Sequence, residues 1–552
     1  MYSDKKDIEN YNKAGAGTMN LQKANFKTAI ICTLIFFLIQ LIGIFHHEPW
    51  MDELQAFQIA MNSHSLSSLF YNMRYEGHPA GWHLILYLIT CFTNNIFYMQ
   101  LVHIIIASAA IFILFSYAPF SLVEKIFLAL SYFLFYEFAQ ISRCYVLSTF
   151  SVISICAVIG EKYYKRKLSD QPAFQPSLFY LLSFLLLLLA NSALLGLVIS
   201  GALGFYFLWV IWNEKTAILS DKRLKTSFGL SILIVLFGWA VSAIQIMPRE
   251  DYGGNSLIPM GFDLSRTGVV ITQLLLAYFP FPKLGKVQCW STYIILPDTA
   301  KTLVFPTIIV FTAIALILVK KPKLLFFYCM ATIGISLIFL YVHVISPHYF
   351  GHHFIVLLAC LWLERYVSPN PNIMIVIHDS FIAKLKKISF YVIMTVQVLA
   401  GLYMYCMDLI YPFSNCKQTG EYITNTHLNR YPLMGGIDFY IVPLSYYVNK
   451  PIYDIDRDDT LRYIIWDKKR MCDLQPAQFF NRMVTQVNKS KNDTALLCLY
   501  FPLYSIGLIN GESDTLVEGN IDATHRIKCV KKITTPCMNP NNNYFLYLVW
   551  KK

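Results

Sequence analysis

Two adjacent carboxylates, Asp52 and Glu53, sit in the first polar stretch of the chain, behind His46, His47, Glu48, Pro49 and Trp50, and Glu76-Gly77-His78-Pro79 closes that stretch. A carboxylate held at a surface can take a proton from a hydroxyl as a general base, or hold a divalent cation against a phosphate. Either suits group transfer from a phosphate-linked donor. The plainer alternative is that both acids complement the positive end of a helix, a contribution of about 0.3–1 kcal/mol. Being consecutive, they point roughly 100° apart around a helix axis, so they do not share one proton as a dyad. Pro49 suits a helix first turn, and Trp50, Leu54, Phe57 and Met61 recur as one apolar stripe on an otherwise polar helix. That pattern predicts a helix lying on a membrane surface. Leu66, Leu69, Phe70 and Met73 predict a second short helix, with Ser65 as its cap.

The elements that must hold this stretch follow from composition. Of 552 residues, 56% are hydrophobic and 14% charged, whereas soluble domains carry about a quarter charged residues. The class is an α-helical polytopic membrane protein. Its net charge of +12 lies in short runs between apolar spans and in the N-terminal tail, the footprint of positive-inside topology rather than of a nucleic-acid partner. Lys5, Lys6, Lys13, Lys23 and Lys27 mark residues 1–27 as a cytoplasmic tail. The first span is too long for a signal-peptide core and has no small-residue cleavage site after it, so it reads as an uncleaved anchor. The loop 46–79 is then external.

Apolar runs follow at Ala80–Thr93, Met99–Ala118, Ile126–Phe138 and Tyr145–Ile159, before the basic cluster Lys162, Lys165, Arg166 and Lys167. Four runs make an even number of crossings where an odd number is needed. One run is therefore re-entrant or interfacial, or two form one broken span. Later clusters (Lys215, Lys222, Arg223, Lys225; Lys320, Lys321, Lys323; Lys384, Lys386, Lys387) agree in sign, with Met247–Ala300 as a long external loop. The count is about 11 spans, with 13 as the upper bound, in a transmembrane part 28–409. The remainder, 410–552, is external.

Strand-like runs at Phe439–Leu444, Leu461–Trp466, Ala495–Phe501 and Tyr544–Trp550 alternate there with a helical pattern at Phe479, Phe480, Met483, Val484 and Val487. They predict a small C-terminal α/β domain. No Walker loop, GxGxxG with an acidic partner, HExxH or GxSxG is present. Asn488-Lys-Ser and Asn492-Asp-Thr fit the glycosylation acceptor pattern, which is common by chance. The thirteen cysteines form no CxxC pair, so most read as small apolar residues. Cys416, Cys472, Cys498, Cys529 and Cys537 lie in the tail, where some can pair.

Trp50-Met-Asp52-Glu53 after the first span, then Glu76-Gly-His78-Pro79 opening the next apolar run, resembles the GT-C superfamily of integral membrane glycosyltransferases, which includes the protein O-mannosyltransferases and the lipid A aminoarabinose transferase. Tyr136-Glu-Phe-Ala-Gln-Ile-Ser-Arg143-Cys-Tyr145 is similar to that family's arginine-centred YxQxARxY segment. The likeness covers roughly residues 48–150 in motif and the rest in outline. Ala190-Asn191-Ser192-Ala193 stands where some relatives have a histidine–tyrosine pair, so that pair's role is not carried over.

The resemblance implies transfer of a sugar from a polyprenyl-phosphate carrier to a hydroxyl acceptor (protein, lipid or envelope glycan) at the external face of a bacterial plasma membrane, with inversion. Asp52 would be the base, and Glu53 would orient the acceptor or support a divalent cation such as Mg or Mn if one is used. Arg143 would receive the leaving phosphate, because a guanidinium binds two oxygens at once; the alternative is a side chain snorkelling to headgroups. Tyr145 would add a hydrogen bond or a sugar contact. His78 is read as a phosphate or acceptor contact, or as an interfacial cap. His348 and His352, four apart, have a spacing that can bind a metal, though no third ligand is evident; lining the substrate cavity is their other reading. Arg249, Glu250, Asp251 and Tyr252 form either a lid or a solvated loop. The competing classes are a multi-span lipid or solute transporter and a protein that binds a lipid-linked glycan without transferring it.

Overall fold

The computed structural model describes residues 26–253, 260–294, 300–342, 346–371, 373, 378–470, 474–503, 518–539 and 542–552. Lys5, Lys6, Lys13 and Lys23 of the tail, and Cys472, lie outside the described residues. The chain starts with α1 (Phe26–His46), crosses a polar loop holding α2 (Met51–Met61) and α3 (Leu66–Asn72), and continues as α4 (Gly81–Thr90), α5 (Phe97–Tyr117) and α6 (Leu122–Ala129). A π-helical turn, Tyr132–Glu137, precedes α7 (Tyr145–Val158), which runs through a second π-helical turn, Ile159–Tyr164, to Lys165–Leu168. Then come α8 (Pro176–Ala190), α9 (Leu194–Ile211), α10 (Lys222–Ile246), α11 (Thr267–Tyr278), α12 (Ala300–Leu318), α13 (Pro322–Tyr341), α14 (Pro347–Glu364) and α15 (Asp379–Ile410). Among the described residues, seven helices are long and apolar enough to cross a membrane: α1, α5, α7 with its extension, α9, α10, α13 and α15. A helix suits such sequences because all its backbone groups bond internally.

One end of the bundle carries the C-terminal domain. The other carries lysines, with Lys321 and Lys386 converging on Glu364 at 2.5 and 2.6 Å. Among the four apolar runs before Lys162, α4 is a short helix. At its start the Ala80 N–H donates to Gln245 Oε1 (2.7 Å) and the Gly81 N–H to the Asn191 carbonyl (3.0 Å). Just past its end the Ile96 N–H donates to the hydroxyl of Tyr446, a residue of the C-terminal domain, at 2.9 Å. Both ends therefore lie at the domain-bearing end, and ten residues span about 15 Å, half a bilayer's hydrocarbon core. The run Ile126–Phe138 is broken. α6 begins at the lysine-rich end, where Arg365 bonds Glu124 at 3.0 Å, stops at Leu130 and Ser131, and resumes as the π-helical turn. α15 packs against the break at Gly401, where a Cβ would come within 2.8 Å of the Leu130 carbonyl oxygen.

The stretch Met247–Ala300 is not wholly an external loop, which corrects the sequence expectation. Gly261 and Asp263 bond the last carbonyls of α13, and α11 then enters the bundle. Its C-terminal carbonyl at Ala277 is capped by the Gln397 amide (2.9 Å), and Tyr278 meets Tyr328 hydroxyl to hydroxyl (2.7 Å). The chain returns so that the Trp290 N–H donates to the carbonyl of Met538, in the C-terminal domain, at 3.2 Å. Leu274, Leu275, Leu276 and Tyr278 are buried; they are too apolar to remain in water.

The C-terminal region is built on a seven-stranded sheet of order β3-β2-β1-β4-β7-β6-β5, with β1 (Leu433–Gly435), β2 (Ile452–Asp454), β3 (Asp459–Leu461), β4 (Thr494–Leu499), β5 (Glu518–Asn520), β6 (His525–Ile533) and β7 (Tyr544–Lys551). β1 runs parallel to β2 and β4, and the remaining pairs are antiparallel. β4, β7 and the helix Pro476–Lys489, which buries Phe479, Met483 and Val487, fall where the sequence predicts them. Phe439–Leu444 is not a strand; it lies in two helical turns, Asp438–Ile441 and Leu444–Tyr447. Pro443 between them has no N–H for a ladder. Of Leu461–Trp466 only Leu461 belongs to a strand. The cysteines among the described residues, including Cys416, Cys498, Cys529 and Cys537, are free thiols.

α2 is not a surface helix either. It is buried from Glu53 to Ala60 between the bundle and the domain, with Leu54 in the domain's core and Phe57 in the bundle's. Its polar residues look polar because they have partners there. Gln55 takes both backbone groups of Ile464 (2.8 and 2.9 Å), and Gln58 donates to Ser445 Oγ (2.7 Å). Gln55→Ala leaves a buried N–H and a buried carbonyl unpaired, each worth about 1–3 kcal/mol. Thermal unfolding of the purified variant in detergent is expected to show a clearly lower midpoint; an unchanged midpoint would mean that α2 does not dock the domain.

Candidate functional site

Glu53 is the centre from which the site is positioned. It is fully buried, and its oxygens accept from the Trp50 N–H (3.1 Å), from His47 Nε2 (3.1 Å) and from the Ser142 N–H (2.6 Å). The first bond closes the N-terminus of α2 in the manner of a capping box; the last ties α2 to the segment before Arg143. His47 Nδ1 bonds Asp408 of α15 at 2.7 Å, and Tyr136 donates to the same carboxylate oxygen at 3.1 Å. Burial works against the imidazolium of His47, but Asp408 and Glu53 outweigh it and hold its pKa well above the ordinary value. Because no face of Glu53 is open, it orients no acceptor and holds no metal; it is a positioning residue.

One residue earlier, Asp52 points the other way, as the helical spacing requires. Its carboxylate pairs with the Arg143 guanidinium, and the two side chains retain 24% and 12% of their exposure. Burial pushes the Asp52 carboxyl up, against the pull of Arg143. Arg143 is held by its backbone as well: His103 Nδ1 lies 3.1 Å from the Ala139 carbonyl, and its Nε2 3.2 Å from the Arg143 N–H. A single tautomer, protonated on Nδ1, satisfies both.

The other sequence candidates converge on the same place. Arg143 approaches His348 Nε2 at 3.4 Å and lies 5.2 Å from the Tyr145 ring. Tyr145 stacks on His348 (5.1 Å, 18°), meets His352 edge-on (5.3 Å) and directs its hydroxyl at His78 Nε2 (3.4 Å). Burial, then Arg143, pushes His78 down to about 3, so it is neutral. His348 and His352 both pack on the Tyr145 ring, and the described residues contain no group of three metal-ligating side chains. A cation at Asp52 would have to replace Arg143, so these residues do not fit a resident divalent metal.

Sequence reasoning missed several members. Trp290, in a turn on the return from α11, stacks over His348 (6.4 Å, 18°), contacts Trp50 (4.8 Å) and donates to Glu137 (3.2 Å). Glu137 also accepts from Tyr132 at 2.8 Å. Nothing in their local sequence marks His47 and Asp408 as partners, since they are 361 residues apart; the acid near the end of an apolar run was the available signal.

Beside this cluster a groove of about 1110 Å³, partly open to the outside, runs between α9, α10 and α13. Leu194, Leu195, Ile246, Met247, Ile338 and Phe339 give it apolar walls, while His78, Tyr349, Arg74 and Arg249 stand at its polar end. The 249–252 segment is exposed at Arg249, Glu250 and Asp251, as a solvated loop would be, but it is tied down. Asp251 accepts from Tyr75 (2.5 Å) and from the Lys468 N–H (2.8 Å), and Tyr252 pairs with Asp467. The chain matches no family model, no curated protein and no solved structure.

Glu48, next to His47, has one buried oxygen without a partner, and burial lifts its carboxyl to about 7 despite Lys417. With a folded pKa above the unfolded value, its contribution to stability is full below about 4.3 and is lost as pH rises towards 7. Glu48→Gln is therefore expected to flatten the fall in thermal midpoint between pH 5 and about 7.5, and to leave the variant the more stable form at the upper end. An identical pH profile in both proteins would contradict this.

Proposed function

We propose that the protein is a GT-C type membrane glycosyltransferase, moving a sugar from a polyprenyl-phosphate donor to a hydroxyl acceptor with inversion. In this reading eleven segments cross the membrane (α1, α5, α6 with its π-helical turn, α7, α8, α9, α10, α12, α13, α14 and α15), α4 and α11 do not, and the C-terminal domain is external. The observation that carries the proposal is the ion pair of Asp52 with Arg143, beside Tyr145, whose ring and hydroxyl meet Tyr349 and His78 at the edge of an apolar groove. That arrangement supports a base, a phosphate receptor and a slot for an isoprenoid chain as neighbours.

The chemistry divides between the two side chains. The carrier chain lies along Leu195, Ile246 and Phe339, and its phosphate takes Arg143 from Asp52. Freed, Asp52 accepts the proton of the acceptor hydroxyl as that oxygen bonds to the anomeric carbon. The carbon–oxygen bond to phosphate breaks on the opposite face of the ring, through an oxocarbenium-like transition state. Negative charge grows on the leaving phosphate, so Arg143 stabilises the transition state more than the ground state. Tyr145, His78, His348 and His352 wall the sugar and keep water out, and neutral His78 can accept or donate a hydrogen bond without repelling Arg143. No step requires a metal.

The interrupted α6, the re-entrant α11 and the buried Glu137 and Asp408 are also features of solute pathways, which sustains the transporter reading. The two separate in one assay with purified, reconstituted protein and polyprenyl-phosphate sugars. Asp52→Asn is expected to lower transfer to a hydroxyl acceptor by about 10²–10⁴-fold while donor binding survives. Undiminished transfer by Asp52→Asn would remove the base, and donor binding without transfer by the wild type would leave a binding protein or a transporter.

A further inference from the structure

At the opposite, lysine-rich end two cavities flank the end of α9. The first, about 1000 Å³ and partly open to the outside, lies between α7, α9, α13 and the segment after α14, and Lys167, Lys321 and Lys323 line it together with Tyr163, Tyr164 and Tyr366. Its shape comes from the second π-helical turn, Ile159–Tyr164. The widened turn brings Tyr163 and Tyr164 to one side and lets Gly160 pass so close to Tyr366 that a Cβ would lie 2.9 Å from its ring. Tyr164 and Tyr366 then stack almost parallel (5.9 Å, 5°). A π-helical turn is an irregular feature that tends to occur at functional sites, and this one serves nothing in the site around Asp52.

The second is an open groove of about 690 Å³ on the outer surface of α9 and α13, lined by Phe205, Leu208, Trp209, Trp212 and Phe326. Trp209 meets Phe326 edge-on at 5.1 Å, and Trp212 is 62% exposed. Lys323 stands between the two: its ammonium donates to the Trp209 and Val210 carbonyls at the end of α9 (3.0 and 3.4 Å). Lys167 is paired with Glu214, and Lys321 shares Glu364 with Lys386. Among the described residues Lys323 makes no direct ion pair and feels only Glu214, which Lys167 already holds, so four ammonium groups face two carboxylates.

We propose that this end binds a membrane phospholipid with an anionic headgroup. The phosphate sits against Lys323 and the tyrosine-walled cavity, and an acyl chain lies along the aromatic groove. Charge complementarity selects the occupant: a cationic, part-enclosed pocket beside an apolar groove, with Lys323 bonded to a residue of each, suits a ligand that is anionic at one end and hydrocarbon at the other. Basic pockets between helices at such an end bind acidic headgroups in this way. The proposal is independent of any activity at Asp52.

The test is native mass spectrometry of the full chain released from nanodiscs of equimolar phosphatidylglycerol and phosphatidylcholine. The wild type is expected to retain phosphatidylglycerol in preference to phosphatidylcholine. Lys323→Gln should reduce that retention about fivefold, the effect of one lysine near a membrane surface, while Lys384→Gln, an exposed lysine at the same end, leaves it unchanged. Thermal midpoints identify a variant that has not folded, and Trp212→Ala, on the exposed rim, supplies an independent loss of the retained lipid. Equal retention of the two lipids by the wild type, or full retention by both Lys323→Gln and Trp212→Ala, would overturn the proposal. Displacement of the lipid by excess inorganic phosphate alone would also overturn it, in favour of a free-anion site.

Discussion

A carboxylate removed from water must be paired or protonated, and Glu53 meets that constraint with three donors, two from its own loop and one 89 residues away. His47, itself shared with Asp408 at the end of α15, supplies one; the N-terminus of α2 supplies the second; the backbone before Arg143 supplies the third. Removing any partner leaves a buried charge uncompensated, so the first polar loop, the segment after the broken helix and the last long helix are fixed to one another. The position of Asp52 follows from this. It projects from the same helical turn, about 100° away, onto the guanidinium that the Ser142 bond has brought within reach.

The same logic explains why the polar face of α2 is buried. A helix with glutamines at 55 and 58 is marginal on a bilayer surface but well matched to an interface that offers polar partners, here both backbone groups of Ile464 and the hydroxyl of Ser445. The C-terminal domain thereby closes over the loop. Tyr252 and Asp251, strapped between Tyr75 and the 467–468 segment, close its side. Among the described residues an apolar groove beside Tyr349 and His78 stays partly open, and its walls suit the hydrocarbon ligand that the proposed function calls for.

Much of this was legible in the sequence. Apolar runs and basic clusters marked the long helices, the even count of runs before Lys162 showed that one of them could not be an ordinary span, and the spacing of Asp52 and Glu53 separated their directions. Glu53's partners were not legible, because the bond to Asp408 joins residues that no local period connects. Nor was the course of α11, whose length and flanking polar residues read as loop. Phe439–Leu444 misled because a continuous run of aromatic and β-branched residues fits a strand until Pro443 is weighed as a missing donor. The buried state of α2 was invisible for a simpler reason: amphipathicity records that a face is apolar and does not tell what covers it.

The account rests on Asp52 and phosphate competing for one guanidinium. The most direct measurement is the affinity of the full-length protein for a polyprenyl phosphate without sugar, compared among the wild type, Asp52→Asn and Arg143→Gln in the same detergent. With the competing carboxylate neutralised, Asp52→Asn should bind at least as tightly as the wild type, and Arg143→Gln should lose about 1.5–3 kcal/mol of binding, as expected for a charge-assisted hydrogen bond. Weaker binding by Asp52→Asn together with unchanged binding by Arg143→Gln would contradict the account at its centre.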